Sequence, residues 1–437
     1  MSRFIPRSIL WRLLLLCWGL ASLAALSHWQ WAAYLGGITL AVCLVLAVGH
    51  ISKAAKLLML GLIAGIGLLL WQTGLPALNT GLLQAIVFAA FIPTARLMRA
   101  AAYHDPAIIR IRRNFRRLPQ QTRAGWVLYA ANALSAVLSI GAFAVMAPLF
   151  PRNAPEQKQR LAQIALMGGG LSVLWSPFFV AQAFVAHGYP SLAIWQIVLA
   201  GFCISMVGLL IASFINRLNN VGDALAAVIP ALGTLLLPLV FAIAAIVLLN
   251  RFGGYGNIQA MVLAIPPLAL LAAWLRRPSH MHSIFRQAPR WLGGMTEDIG
   301  VIVLAILFSA ILQQSAFADA AGHWVHQMGL PPMAVLGAAF LLMVGLEVAG
   351  LHPILCATLA LQITHTVSDR VPDLLAAMVI LVAWSFGSVT SYSGLLPSIA
   401  AVTFDVAKHR LVYGRNLLYV ATGVVLVCGL LAILSLR

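Results

Sequence analysis

Runs of about twenty consecutive apolar residues recur along the whole chain, and each is long enough to cross the hydrocarbon core of a bilayer as a helix. Of the 437 residues, 62% are hydrophobic and only 8% are charged, whereas a soluble protein carries about a quarter charged residues. The apolar runs are continuous rather than alternating, which argues against membrane β-strands. The sequence therefore predicts an all-α polytopic membrane protein without a large soluble domain.

We predict about eleven transmembrane helices and two re-entrant hairpins. The hairpins are the apolar stretches 124–150 and 332–366, each of which enters the membrane and returns to the same side. The helices lie near 10–27, 30–49, 57–75, 80–98, 161–186, 191–213, 224–250, 257–275, 296–318, 373–402 and 414–436.

The distribution of basic residues supports this topology. With two hairpins, 24 of the 27 lysines and arginines collect on one face, and only Arg251, Arg370 and Arg437 fall elsewhere. Positive charge marks the cytoplasmic face, so we expect a protein of the bacterial inner membrane with a cytoplasmic N-terminus and a periplasmic C-terminus. The net charge of +17 is then a topology signal. We expect the basic loops to contact anionic lipids and expect no nucleic-acid partner.

Two polar, helix-breaking segments show the same order of residue types at an offset of 217 positions. "GLSVLWSPFFV" begins at Gly170 and "GSVTSYSGLLP" begins at Gly387, so that Ser176 is aligned with Ser393 and a helix breaker follows each serine. A hairpin precedes each copy, and the two copies run through the membrane in opposite directions. Chance similarity between apolar segments is the alternative to an inverted repeat. The predicted parts are a leading helix (1–29), a first repeat (30–219) and a second repeat (220–437), with broken helices at 161–186 and 373–402.

The two breaks are the predicted binding region. A broken helix exposes backbone N–H and C=O groups, which is tolerated in a membrane only where protein buries them or a water-filled cavity solvates them. The N-terminal ends of half-helices suit an anionic substrate, and the carbonyl ends suit a cation. Hydroxyl groups could bind a solute, although small residues also serve close helix packing. The candidate substrate-binding residues are Gly170, Ser172, Ser176, Gly387, Ser388, Thr390, Ser391 and Ser393.

One leading helix, two inverted repeats with a hairpin each, and broken fifth and tenth helices resemble the ion transporter superfamily, above all the architecture of the divalent anion:sodium symporters. In that family each hairpin tip carries Ser-Asn-Thr, and the facing breaks complete sodium and carboxylate sites. Neither "NALSAVLSIGAF" nor "GLEVAGLHPILC", the segments at the two tip positions here, contains Ser-Asn-Thr. The resemblance implies a homodimer with a fixed scaffold and a moving transport domain. By position it adds three residues of the first tip to the substrate-binding set, namely Asn132, Ser135 and Ser139.

Glu347 is a single carboxylate in the apolar segment "LLMVGLEVAGLHPIL". A carboxylate inside the membrane is costly unless it is neutral or paired, so its presence indicates a function by default. We predict that Glu347 carries the coupled proton or helps to bind the coupled cation, and that His352 shares the proton or the substrate with it. The alternative is a structural hydrogen-bond partner at the hairpin mouth.

These features predict a secondary active transporter that moves a small anionic solute, a carboxylate or an oxyanion, by elevator-type alternating access coupled to sodium or protons. No cofactor is expected apart from a sodium ion. The sequence has no Walker A motif, no H-E-x-x-H and no acidic metal cluster, and we do not expect an enzyme. Two alternatives stay open. One is the membrane subunit of a binding-protein-dependent secondary transporter, and the other is a membrane-embedded enzyme of envelope glycan or lipid metabolism.

Overall fold

The computed structural model of the chain describes residues 7–27, 29–103, 115, 117–151, 153–276, 278–392 and 394–436. Within these ranges the chain is helical almost throughout and contains no β-strand. Among the same residues, eight helices are long and apolar enough to cross a membrane, and three shorter apolar helices accompany them. The prediction of an all-α polytopic membrane protein is confirmed.

The helices are numbered here in chain order. The first half of the described chain holds α1 (Arg7–Ser27), α2 (Gln30–Ala47), α3 (Lys53–Thr73), α4 (Leu75–Tyr103), α5 (Gln120–Leu138), α6 (Gly141–Met146), α7 (Pro155–Leu171), α8 (Val180–Gly188) and α9 (Ile194–Ile215). The second half holds α10 (Val221–Gly253), α11 (Asn257–Arg276), α12 (Pro278–Arg286), α13 (Ala288–Gly293), α14 (Thr296–Leu312), α15 (Ala316–Gln327), α16 (Pro332–Val348), α17 (Pro353–His365), α18 (Asp373–Thr390), α19 (Leu395–Phe404), α20 (Lys408–Val412) and α21 (Arg415–Ser435).

The helix predicted at 296–318 is wrong at its end, because α14 stops at Leu312 and a separate helix follows. The hydroxyl of Ser315 donates to the carbonyl of Leu312 at 2.7 Å, and the side-chain amide of Gln314 donates to the carbonyl of Ala310 at 3.0 Å. The backbone N–H groups of Gln314 and Ser315 also bond to the carbonyls of Ile311 and Leu312, so a tight turn supported by polar side chains ends the helix. Apolar character alone did not locate this turn.

The chain divides into two compact units, each built from two separate parts of the sequence. Unit 1 comprises Met1–Ala101 and Leu248–Gln327, and unit 2 comprises Ala102–Val247 and Met328–Arg437. Each predicted repeat therefore contributes to both units. The division of the chain into a leading helix and two inverted repeats stays a prediction.

Unit 1 packs α1 on α2 and α3 on α14. Its charged groups pair near the start of α14: Arg96 lies 3.0 Å from Asp298, and Glu297 accepts hydrogen bonds from the backbone and the hydroxyl of Ser52 at 2.9 and 2.8 Å. In contrast, large apolar side chains such as Trp71 point outward, and Trp71 is 91% exposed. An outward apolar surface with its charges gathered at helix ends is the pattern expected of a unit surrounded by lipid.

Unit 2 contains four interrupted helical segments. Hairpin one is α5 and α6, and hairpin two is α16 and α17. The first broken helix is α7 and α8, and the second is α18 and α19. Hairpin one packs on α7, hairpin two packs on α18, and α7 contacts α18. The two interruptions of the broken helices are named break one and break two. Break one is residues 175–179, preceded by a 3-10 turn at Ser172–Leu174, and break two is the described residues 391, 392 and 394.

The first broken helix is longer than predicted because its polar start was not counted. The helix α7 begins at Pro155 rather than near 161. Proline is favoured at the first helical position, and Glu156 in the first turn suits the positive end of the helix dipole. The apolar pattern on which the prediction rested begins only after these exposed turns.

Candidate functional site

Hydrogen bonds from Ser172 and Ser176 to backbone carbonyls stabilise break one and the 3-10 turn before it. The hydroxyl of Ser176 donates to the carbonyl of Ala136 in hairpin one at 2.5 Å. The hydroxyl of Ser172 donates to the carbonyl of Gly169, one turn back in α7, at 2.6 Å. Both serines are fully buried. Because a hydroxyl has a single proton, neither serine can donate to a solute while these bonds last.

Gln182 closes the carbonyl end of the same break, and the sequence analysis missed it. Its side-chain amide donates to the carbonyl of Val173 at 3.4 Å and to the carbonyl of Leu174. These carbonyls lie at the end of the first half-helix, where no helical N–H follows to bind them. Gln182 is fully buried, and its amide oxygen has no partner among the described residues. A lone glutamine in an apolar half-helix was the signal that could have found it.

The predicted residues of hairpin one have different surroundings. Asn132 donates to the carbonyl of Gly168 at 3.2 Å and to the hydroxyl of Ser205 at 3.1 Å, so it joins α5 to α7 and α9. Ser139 marks the tip of the hairpin, where its φ of 52° places it in the left-handed region. Ser135 is fully buried, and its hydroxyl has no partner among the described residues. The Ser135 hydroxyl is therefore a buried polar group that a ligand could bind.

Gly170 is the point at which the two broken helices cross. Its carbonyl accepts a hydrogen bond from the hydroxyl of Ser385 at 3.0 Å. A Cβ placed on Gly170 would overlap the side chain of Val389. The missing side chain thus allows α7 and α18 to touch, and it brings the last turns before both breaks into one region of unit 2.

The hydroxyl-bearing residues at break two differ in their surroundings. The hydroxyl of Thr390 donates to a carbonyl of its own helix at 2.9 Å. Ser391 is fully buried, and its backbone N–H donates to the carbonyl of Gly387 at 2.7 Å. Ser388 is half-buried. Ser393, a predicted site residue, lies outside the described residues.

Glu347 lies at the end of α16, against the second broken helix. Its side chain is fully buried, and neither carboxylate oxygen has a hydrogen-bond partner among the described residues. A Cβ placed on Gly387 would overlap this carboxylate, so the two residues are in direct contact. A buried carboxylate without donors is unstable as a bare anion. The arrangement therefore suits a carboxyl group that binds a proton or a cation.

His352 is close to Glu347 in the sequence but is not joined to it by a hydrogen bond. It is exposed, and its Nδ1 accepts a hydrogen bond from the backbone N–H of Ile354 at 3.4 Å, which caps the start of α17. The predicted sharing of a proton between His352 and Glu347 stays a prediction. Across the described residues, no group of three or more His, Cys, Asp or Glu side chains could hold a metal ion.

Lys408 is a second residue that the sequence analysis did not select. Its ammonium donates to the hydroxyl of Ser398 in α19 at 2.6 Å. It also lies 4.8 Å from the centre of the Tyr392 ring, in break two. Lys408 thus places a positive charge beside break two, whereas Glu347 of α16 contacts α18 at Gly387, one turn before this break.

The fold of the chain is similar to that of a solved membrane transporter. The crystal structure of the YdaH transporter from Alcanivorax borkumensis aligns with a TM-score of 0.53 and 14% sequence identity, over 78% of this chain and 84% of that chain. At this identity the likeness concerns the fold. No protein-family model matches the chain, and no curated protein matches it. The resemblance to the ion transporter superfamily stays a prediction.

Proposed function

We propose that the protein is a secondary active transporter of a small anionic solute, a carboxylate or an oxyanion, coupled to protons or sodium through Glu347. The similarity to the fold of a transporter supports the general class. The solute, the coupling ion and the mechanism rest on the arrangement of unit 2.

The observation that carries the proposal is the meeting of two broken helices and two hairpins in one compact unit. Interrupted helices leave backbone groups without helical partners, and within a membrane such groups need protein, water or a ligand. Paired breaks near mid-membrane are the usual construction of substrate and ion sites in secondary transporters. The side chains of Ser176 and Gln182 are bonded to backbone carbonyls at break one. We therefore assign the solute to break two and to the hydroxyl of Ser135, which has no partner among the described residues.

Glu347 supplies the coupling in this proposal. In the observed arrangement its carboxylate has no donor among the described residues, so binding of a proton or a cation would relieve the cost of a buried charge. A transporter needs a group whose occupancy alters the stability of one conformation relative to another. A carboxylate packed on the helix that leads into break two can do this.

The division into two units supports an elevator-type mechanism. Each unit draws on both halves of the chain. In our proposal unit 1 is the scaffold, in a homodimer, and unit 2 is the part that moves with the solute. The protein would lie in the bacterial inner membrane with its N-terminus in the cytoplasm and its C-terminus in the periplasm, and the basic loops would contact anionic lipids.

Transport by the purified protein in proteoliposomes tests the proposal. Labelled carboxylates and oxyanions are supplied outside the vesicles under an imposed proton gradient, an imposed sodium gradient, or no gradient. Uptake of at least one solute that exceeds its equilibrium level only under a gradient is the expected result. Equal uptake by vesicles with and without protein, for every solute and gradient, would contradict it.

A further inference from the structure

The ammonium of Lys408 is fixed beside a helix break instead of extending into water. Lys408 follows α19 in the sequence, yet its side chain turns back along that helix to the hydroxyl of Ser398, 2.6 Å away. The Tyr392 ring, 4.8 Å away, offers its electron-rich face to the same ammonium. Two contacts on different elements thus hold the charge in one place.

Among the described residues, no carboxylate forms an ion pair with this ammonium. The ion pairs of the described residues join Arg96 to Asp298, Lys158 to Asp405 and Arg370 to Asp369, and none of them includes Lys408. Lys408 is only partly exposed. An ammonium has three N–H groups, and one of them binds Ser398. Two donors and a full positive charge are therefore left to face a ligand.

The two breaks differ in the residue that stands at the position of Lys408. At the repeat offset of 217 positions, the counterpart of Lys408 is Ser191, whose hydroxyl donates to Asp373. The position equivalent to Lys408 in the first repeat thus carries a hydroxyl group instead of a positive charge.

We infer that Lys408 is the residue that recognises the negative charge of the solute, and that its ammonium binds one carboxylate or oxyanion group at break two. This inference rests on the proposed function and makes it more specific. A solute anion would then compensate the charge of the Lys408 ammonium, and a proton or a cation would compensate the charge of the Glu347 carboxylate. One ammonium balances one negative charge, so the subsite fits a single anionic group.

Thermal unfolding of the purified full-length protein tests the subsite without knowledge of the natural solute. The protein is placed in nanodiscs of phosphatidylcholine, and its Tm is measured in acetate, succinate, phosphate and sulfate against chloride at the same ionic strength. We expect at least one of these anions to raise the Tm of the parent. Lys408→Gln, which removes the charge, should lose that rise, and Lys408→Arg should keep most of it. Lys158→Gln is the matched control and should respond like the parent.

Three results would overturn the inference. The first is a parent Tm that no anion raises above its value in chloride. The second is a rise that Lys408→Gln retains in full. The third is a rise that depends on Lys408 only when phosphatidylglycerol replaces part of the phosphatidylcholine, which would mean that the lysine binds lipid head groups.

Transport separates this inference from the proposed function. If the parent carries a solute in proteoliposomes, Lys408→Gln should raise the KM for it by about tenfold to a hundredfold, the loss expected for a hydrogen bond to a charged group. An unchanged KM would agree with the proposed transport function but would refute the role of Lys408. An anion-dependent Tm without any transport would support the subsite and refute the proposed function.

Discussion

The carboxylate of Glu347 occupies the space in which a side chain on Gly387 would lie. The two residues are 40 positions apart in the sequence. Their contact joins the end of α16, the first helix of hairpin two, to α18, the helix that leads into break two. Gly387 lies one turn before Ser391, the first residue of that break. A change at the carboxyl group of Glu347 would therefore act directly on the backbone of α18, which leads into break two, where the proposed solute would bind.

Gly387→Ala should destabilise the protein, because the new methyl group must displace a fully buried carboxylate. Overfilling a packed interior costs about 1–3 kcal/mol. We expect a clear fall in the Tm measured by thermal unfolding in nanodiscs.

Gly345→Ala is the matched control for this substitution. Gly345 lies in the same hairpin, and a Cβ there would meet no atom within 4 Å. Alanine is the better helix former by about 1 kcal/mol, so this variant should match or exceed the Tm of the parent. Equal Tm values for the two variants would mean that Glu347 moves aside without cost.

Ser176→Ala should destabilise the protein more than Ser172→Ala. The hydroxyl of Ser176 is bonded to hairpin one, whereas that of Ser172 is bonded within its own helix. Loss of the first bond leaves the Ala136 carbonyl buried without that donor, at a cost of about 1–3 kcal/mol. Thermal unfolding of the two purified variants compares them directly. Equal losses would show that the contact with the hairpin does not matter for stability.

The ion pair of Asp405 with Lys158 predicts a small acid-dependent loss of stability. The hydrogen bond from the Lys158 ammonium, 2.8 Å long, lowers the pKa of Asp405. Because the folded-state pKa is below the unfolded one, the pair stabilises the fold above the unfolded pKa, about 3.9. That contribution is lost as the pH falls through the lowered pKa. Asp405 is exposed, so the effect should be small.

The substitution Asp405→Asn tests the predicted direction of this pH dependence. Asparagine tolerates the left-handed backbone of this position, where φ is 51°. The Tm of the variant should lie slightly below that of the parent near neutral pH, and the two should converge as the pH falls below the lowered pKa of Asp405. Asp369→Asn, which removes a carboxylate 3.7 Å from its neighbour Arg370, is the control for a generic charge effect. A gap in Tm that is constant with pH, or the same in both variants, would contradict the assignment.

The proposed orientation predicts opposite labelling at the two ends of the second broken helix. In a variant without native cysteines, Asp369→Cys should react with an impermeant maleimide from the periplasmic side, and His409→Cys should react only from the cytoplasmic side. Both positions are exposed. Labelling of Asp369→Cys from the cytoplasm alone would make hairpin two a simple span, and the inverted repeat would be wrong.

The sequence contained enough local information to predict the helices and the breaks, but not the contacts between them. Continuous apolar runs and clusters of glycine, proline and serine act within one segment, which is why both interruptions appeared near the predicted positions. The roles of Gln182 and Lys408 depend on side chains that fold back across a break. The contact of Glu347 with Gly387 depends on how two segments pack. No single-sequence pattern encodes that geometry.

Ser176 is a further example of a contact between segments that the sequence does not reveal. Its residue type and its place beside a proline predicted a solute-binding hydroxyl, and that role stays a prediction. In the fold its proton is bound to a backbone carbonyl of hairpin one. The position of a polar residue at a break was predictable, whereas the partner that it binds was not.

The central claim, that Glu347 couples solute movement to an ion, is tested most directly by Glu347→Gln in proteoliposomes. The substitution removes the charge and keeps the shape of the side chain. The measurement compares accumulation of a transported solute under an imposed proton or sodium gradient with exchange of labelled for unlabelled solute at equilibrium. The account predicts that accumulation disappears while exchange continues. Accumulation equal to that of the parent under both gradients would contradict it.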